Sequence, residues 1–367
     1  MIKQRLSFVA TFLLCVGVLY GGNELNQIQL IQGVSNKLRG ATSITITPDG
    51  KYVYAAANND KAIAIFSRDA STGKLTYTGY LDLSSSHDIW PQKVIASVDS
   101  KYLYVKDTYA KTEIDRYIIG TDGSLSSRES YTDLRAVGAI QMTGDGKNIY
   151  AFLNGSYTAT WLSPSVSINK NYLYSLSINE STGGLSSSQT VSNVDSQPYS
   201  IALSPSGDYA YVSHANYKIS WYSRSTTDYT LTYKGLLSMD PDDSEKFVWR
   251  YSTSVIHESG KFYYGAGDEG VGGKQTIDTS DGSITVAERL EVLDDAKSLA
   301  IKGDRLYSLE YNDLRLFSIS STDGALTLLD TADRGSSRYA TIYDGREVVV
   351  SPDGNHVYAA SYKRGIA

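Results

Sequence analysis

The chain has 367 residues, with 34 basic and 40 acidic side chains and a net charge of −6. That balance excludes a general nucleic-acid surface, and a single Cys excludes a disulfide framework or a Cys-based zinc site. Hydrophobic residues at 41% supply a large core, and thirty Tyr and 31 Gly against seven Pro make a strand-and-turn composition.

The first predicted element is a targeting segment. Lys3 and Arg5 precede an apolar run from Leu6 to Tyr20, the pattern of a secretory signal, too short for a comfortable membrane span. The expectation is a signal peptide over 1–22 and a secreted or periplasmic protein. Contact with a membrane would come only through an uncleaved anchor. Removing residues 1–22 takes the net charge to −8 and the one Cys with it, which suits an oxidising compartment. Cys15 follows Leu13 and Leu14 and so lacks the small neighbour that lipidation favours. Residues 26–33 then read as a lone strand before the first repeat.

From residue 44 a pattern of two strands around a tight turn recurs seven times. It is clearest in Ile44–Tyr54, Ile201–Tyr211 and Val348–Tyr358, where a Ser/Thr-Pro-Asp/Ser-Gly turn leads into an aromatic-rich strand. The turn position falls at Gly50, Ser100, Gly146, Gly207, Gly260, Gly303 and Gly354, about 51 residues apart. Gly supplies the positive φ such turns need, and Tyr, Val and Ile favour extended backbone. A third, alternating strand follows each pair, as in Ala62–Phe66 and Lys218–Tyr222, and a fourth follows a second Gly turn at Gly73 or Gly324. No stretch of helical length keeps a 3.6-residue apolar period. The fold predicted is all-β: a seven-bladed β-propeller of four-stranded antiparallel blades over 23–367, closed by an N-terminal strand joining the last blade. The Tyr-x-Tyr pairs are expected to pack between blades. The third strand of the last copy should begin near Lys363, where the sequence stops, so the last blade is expected to be either irregular or truncated.

The recurring Ser/Thr-Pro-Asp-Gly-Lys-Tyr-Val-Tyr pattern with its following Gly-Lys/Ser-Leu turn resembles the lactonase-type seven-bladed propellers over about residues 26–367. That group includes 6-phosphogluconolactonase-like proteins, carboxymuconate cyclases and YVTN-repeat surface proteins. The resemblance implies the fold, and for the enzymes of the group a His, an Arg and a Glu near the central channel. The matching positions here hold Gly138–Ile140, Tyr199, and His214 with Ala215, so none carries the expected residue. One blade later, Arg250 and Glu269 resemble the Arg and Glu of the pattern. Arg could stabilise an oxyanion there and Glu could activate water.

Other candidates are few. The third repeat is the longest, and its extra residues around 153–169 carry Tyr157 and Trp161, aromatics able to stack on a sugar or meet a protein. Tyr157, Trp161, Tyr199 and His214 are the candidate binding residues. No metal site and no cofactor is expected: the four His residues have no ligand spacing, 240–245 lacks the spacing of a calcium loop, and 265–273 is not a phosphate loop. The reading is an extracytoplasmic, monomeric binding or interaction module whose partner is a protein, a glycan or a small lactone-like ligand. A lactone hydrolase with a shifted Arg/Glu site is the alternative.

Overall fold

The computed structural model describes residues 12–18, 24–32, 37–84, 89–107, 113–132, 137–153, 157–159, 166–168, 172–192, 196–214, 218–238, 252–267, 270–293, 295–332 and 342–362. Their strands form seven four-stranded antiparallel sheets and one two-stranded ribbon. Sheet 1 is typical. Ala41–Ile46, Tyr52–Ala57, Ala62–Arg68 and Leu75–Asp82 pair in chain order. Sheets 2 to 6 repeat the meander, starting from Pro91–Ala96, Val137–Met142, Pro198–Leu203, Thr253–Ile256 and Ser298–Lys302. The ribbon, Tyr157–Ala159 with Val166–Ile168, is inserted between the second and third strands of sheet 3, where the sequence places its extra residues.

The first strands of the sheets touch one another in chain order, and that of sheet 7, Gly345–Val350, returns to that of sheet 1. They surround a central channel, which makes the molecule a propeller of four-stranded antiparallel blades. Among the described residues no helix is long and apolar enough to cross a membrane.

Sheet 7 departs from expectation. Its order is Gly345–Val350, His356–Ser361, Phe12–Val18, then Leu25–Gln32. Leu25–Gln32 lies at the outer edge of this sheet. The third place is filled by Phe12–Val18, whose Phe12 faces Ser361 and whose Gly17 faces His356. The stretch 12–18 lies in the segment read as a signal peptide, and residues that leave with a signal cannot hold that place. An apolar run of seven residues with no Pro suits either use, which is why its sequence reads both ways.

The repeat is explained by how neighbouring blades meet. The second Tyr of each Tyr-x-Tyr strand is fully buried and points into the next blade. Tyr54 Oη donates to the carbonyl of Gly123 at 2.9 Å, Tyr104 to Gly183 at 2.8 Å, Tyr211 to Gly282 at 2.9 Å and Tyr264 to Gly324 at 2.6 Å. Tyr358 of blade 7 donates to Gly73 of blade 1 at 2.8 Å, so the seam between the last and first blades carries the same bond. Burial pushes the phenols of Tyr54, Tyr104, Tyr211 and Tyr264 up, so they remain donors, and takes those of Tyr150 and Tyr307 at the same repeat position to about 12. The first aromatic of the pair lies against the same glycine. A Cβ on Gly123 (φ 82°) would sit 2.4 Å from the Tyr52 ring, and one on Gly282 (φ 76°) 2.2 Å from Tyr209. Glycine is needed there both for its φ and for the approach.

Two junctions add a buried arginine. Arg68 of blade 1 pairs with Asp353 of blade 7 at 2.8 Å, donates to Tyr358 Oη at 2.8 Å, and contacts Nδ1 of His356 at 2.9 Å. Arg224 of blade 4 pairs with Asp145 of blade 3 at 2.8 Å and lies over the Tyr229 ring. Tyr229 has φ 59° in the place other blades give to glycine, and its partner position in blade 3 holds Asn148 instead of an aromatic ring. The side chain gained on one blade is matched by the ring lost on its neighbour.

Candidate functional site

The channel has a volume of about 970 Å³, and all seven first strands line it. A bulge near the start of most of these strands turns one residue toward the mouth. Strand register makes Ser43, Lys93, Ala139, Ser200, Thr253, Ser298 and Glu347 equivalent, one per blade. At most of these positions the side chain is small. Ser43 Oγ accepts from Val94 N at 3.1 Å, Thr253 Oγ1 from Leu299 N at 3.1 Å, and Ser298 Oγ from Val348 N at 3.1 Å. Each thereby caps an inner-edge N–H of the next blade that the sheet leaves without a strand partner.

Blades 7 and 2 break the rule with charge. Glu347 Oε2 accepts from Ile44 N at 3.0 Å, doing the work of the serine, and Oε1 is ion-paired with Lys93. The carboxylate therefore joins three consecutive blades. One residue nearer the mouth, the equivalent positions include Gln92, Tyr199, Lys297 and Arg346, all lining the channel. Arg346 pairs with Asp344 at 2.8 Å and lies 4.8 Å over the Tyr362 ring. Behind Gln92, buried Lys106 donates to its side-chain oxygen, and burial lowers that ammonium to about 8 despite the neighbouring Asp107. The mouth thus gathers three cations, Lys93, Lys297 and Arg346, against two carboxylates, Glu347 held in place by two donors and Asp344 paired with Arg346. Such a set orients an anionic or strongly polar ligand by hydrogen bonds and charge.

The sequence candidates fall unevenly around this site. Tyr199 lines the channel and is half-buried. His214 does not line it. Its ring is fully buried, with Nδ1 3.1 Å from the Ser196 carbonyl and Nε2 2.7 Å from Ser220 Oγ, so both nitrogens serve blade 4 itself. Tyr157 is on the two-stranded ribbon. Arg250, Glu269, Trp161 and His87 lie outside the described residues. His356 is packed in the blade 7–blade 1 seam, and His257 takes the turn slot that is Ser or Thr elsewhere, bonding Ser259 Oγ at 2.8 Å. Among the described residues no group of His, Cys, Asp and Glu could hold a metal. Lys93, Lys297, Arg346 and Glu347 were not picked out from the sequence. The signal that finds them is a charge at a repeat position otherwise held by small residues.

Residues 19–131 match the family described as lactonase, 7-bladed beta-propeller, so the resemblance seen in the sequence holds over that span. None of the curated proteins compared matches the chain. Among solved structures, a putative 6-phosphogluconolactonase from Bacteroides uniformis has TM-score 0.64 at 15% identity, covering 88% of this chain and 99% of that one. The periplasmic gluconolactonase of Pseudomonas aeruginosa has TM-score 0.62 at 15% identity, covering 98% of this chain and 99% of the other. A chain of the Kuenenia stuttgartiensis hydrazine synthase structure is similar too, with TM-score 0.58 at 17% identity over 92% of this chain and 99% of that one. At these identities the likeness is one of fold.

Proposed function

We propose that this chain, with its resemblance to the lactonase-type propellers, is a seven-bladed propeller that binds a small polar ligand at the mouth of its channel. We take the ring to be closed by the two N-terminal strands. The observation that carries the binding reading is the charged arc of Lys93, Lys297, Arg346 and Glu347, in positions the other blades leave small or neutral. A rigid ring with a few convergent polar groups around an open cavity is the usual form of a small-molecule site. Calorimetric titration with a panel of sugars, sugar acids, lactones and short glycans tests it. Binding that weakens at least tenfold in Lys93→Ala supports the reading, and a folded protein that binds no member of the panel refutes it.

Hydrolysis of a lactone is the second reading. The family match over 19–131 favours it, and its candidate residues remain Arg250 and Glu269. Proton release from lactones, lost in both Arg250→Ala and Glu269→Ala, would establish it. Release unchanged in both variants would remove the two residues from consideration.

A further inference from the structure

Blade 5 breaks the repeat on the side that faces blade 4. Strand register makes Ser254 equivalent to Ile44, Val94, Ile140, Ile201, Leu299 and Val348, one residue further along each first strand than the ring of Ser43, Lys93 and their equivalents. Those six side chains are apolar and buried, whereas Ser254 is half-buried and lines the channel. Tyr263 stands where the other blades hold Val53, Leu103, Ile149, Ala210, Leu306 and Val357. Its ring is fully buried and meets Tyr211 of blade 4 edge to face, centres 6.2 Å apart. Its hydroxyl faces Ser254, Ser200 and Ser213, and burial raises the phenol above its ordinary value, so it stays a donor. Ser200 Oγ lies 2.9 Å from Ser254 Oγ and 2.7 Å from Ser213 Oγ. Ser213 in turn stands where blades 1, 5 and 7 hold Ala56, Ala266 and Ala360. Four hydroxyls thus form one cluster across the seam between blades 4 and 5, and its Ser254 end opens on the channel.

A hydroxyl both donates and accepts, and linked hydroxyls can turn together to point their protons either way. Ser254 therefore offers the channel a proton or a lone pair as a ligand requires. A serine is also smaller than the branched residue of the other blades, which cuts a polar notch into the wall. Blades 4 and 5 bring no charge to the ring or to the positions one residue nearer the mouth, where they place Ser200, Thr253, Tyr199 and Ser252. The order of first strands around the channel sets this wall opposite blade 1, over which Glu347 and Lys93 meet. We propose that the notch takes an alcohol hydroxyl, and that the channel ligand is a polyol lying between Ser254 and the Lys93–Glu347 pair. That pair sets a donor beside an acceptor, which suits a second hydroxyl of the same molecule. The inference rests on the channel-mouth binding reading and names the ligand class for it.

The test is calorimetric titration of the full chain with sorbitol and with tetraethylene glycol dimethyl ether, a chain that carries ether oxygens but no hydroxyl. Sorbitol is expected to bind at least tenfold tighter than the polyether. Ser254→Ile, which restores the residue of blades 1, 3 and 4, should weaken sorbitol at least tenfold. Tyr263→Phe, which keeps the ring and removes its hydroxyl, should weaken it at least threefold. Equal affinity for sorbitol and the polyether in the unaltered protein overturns the proposal, and that comparison needs no variant to fold. Unchanged sorbitol affinity in either variant, once shown to melt cooperatively, overturns it as well. If sorbitol fails but another member of the wider panel binds and responds to Lys93→Ala, the channel reading stands and this inference falls. If nothing binds, both fall.

Discussion

Gly123→Ala and Gly303→Ala impose the same chemical change in two settings. Gly303 has φ 56° and open space where a Cβ would go, whereas at Gly123 (φ 82°) the Cβ would lie 2.4 Å from the Tyr52 ring. Alanine in the left-handed region costs about 1–2 kcal/mol, and that alone is expected for Gly303→Ala. At Gly123 the overlap adds about 1–3 kcal/mol, because Tyr52 cannot swing away freely: its hydroxyl is anchored on the Thr121 carbonyl at 2.7 Å. The expected loss for Gly123→Ala is about 3 kcal/mol, read from urea denaturation followed by Tyr and Trp fluorescence. Combining Tyr52→Ala with Gly123→Ala should cost about 1–2 kcal/mol less than the sum of the single changes, since the overlap is gone but the φ strain stays. Equal losses at Gly303 and Gly123, or strict additivity with Tyr52→Ala, would refute the claim that the ring's close approach requires glycine there.

Three further outcomes are expected. Burial, and then the charge of Arg68, holds His356 below its ordinary value near 6.5. The unfolded chain therefore takes up a proton first, and stability should fall as pH drops from about 6.5 toward the folded value. His356→Tyr, the residue of blades 1, 2 and 4 (Tyr52, Tyr102 and Tyr209), should flatten that part of a stability–pH profile. Arg68→Ala leaves Tyr358 and Asp353 without their cation in the seam and should cost about 3 kcal/mol, with the apparent Asp353 pKa rising from about 2 in a carboxylate titration. Deleting residues 1–22 should lower the urea midpoint and promote dimers on a sizing column, because the edge of His356–Ser361 loses its partner strand. An unchanged midpoint would show that Phe12–Val18 contributes nothing to the last blade.

The blades were legible because their turns need particular chemistry. All seven repeat turn positions have positive φ, from 56° at Gly303 to 78° at Gly207, including Ser100 at 61°. The Tyr-x-Tyr pairs were read as packing between blades, and the hydroxyl-to-carbonyl bonds bear this out. The occupant of the third place in blade 7 was not legible, since an apolar run at a chain start fits a signal equally well. Nor was the site. Lys93 and Glu347 are ordinary surface residues in a linear reading, and only strand register makes them equivalent to Ser43 and Ser298. His214 is the converse case, a residue with chemical promise that blade 4 spends on its own hydrogen bonds.

Six blades are built from contiguous stretches of chain, but blade 7 joins Phe12–Val18 to His356–Ser361. During synthesis the first of these strands is made long before its partner. At about 5–20 residues per second the wait is roughly 20–70 s. Throughout that time an apolar segment is without its partner strand in the nascent chain, open to whatever binds such segments. Whether the segment ends as a strand or is captured on the way is then a race set by translation speed, and slow or fast codons downstream would shift its outcome without changing a single residue.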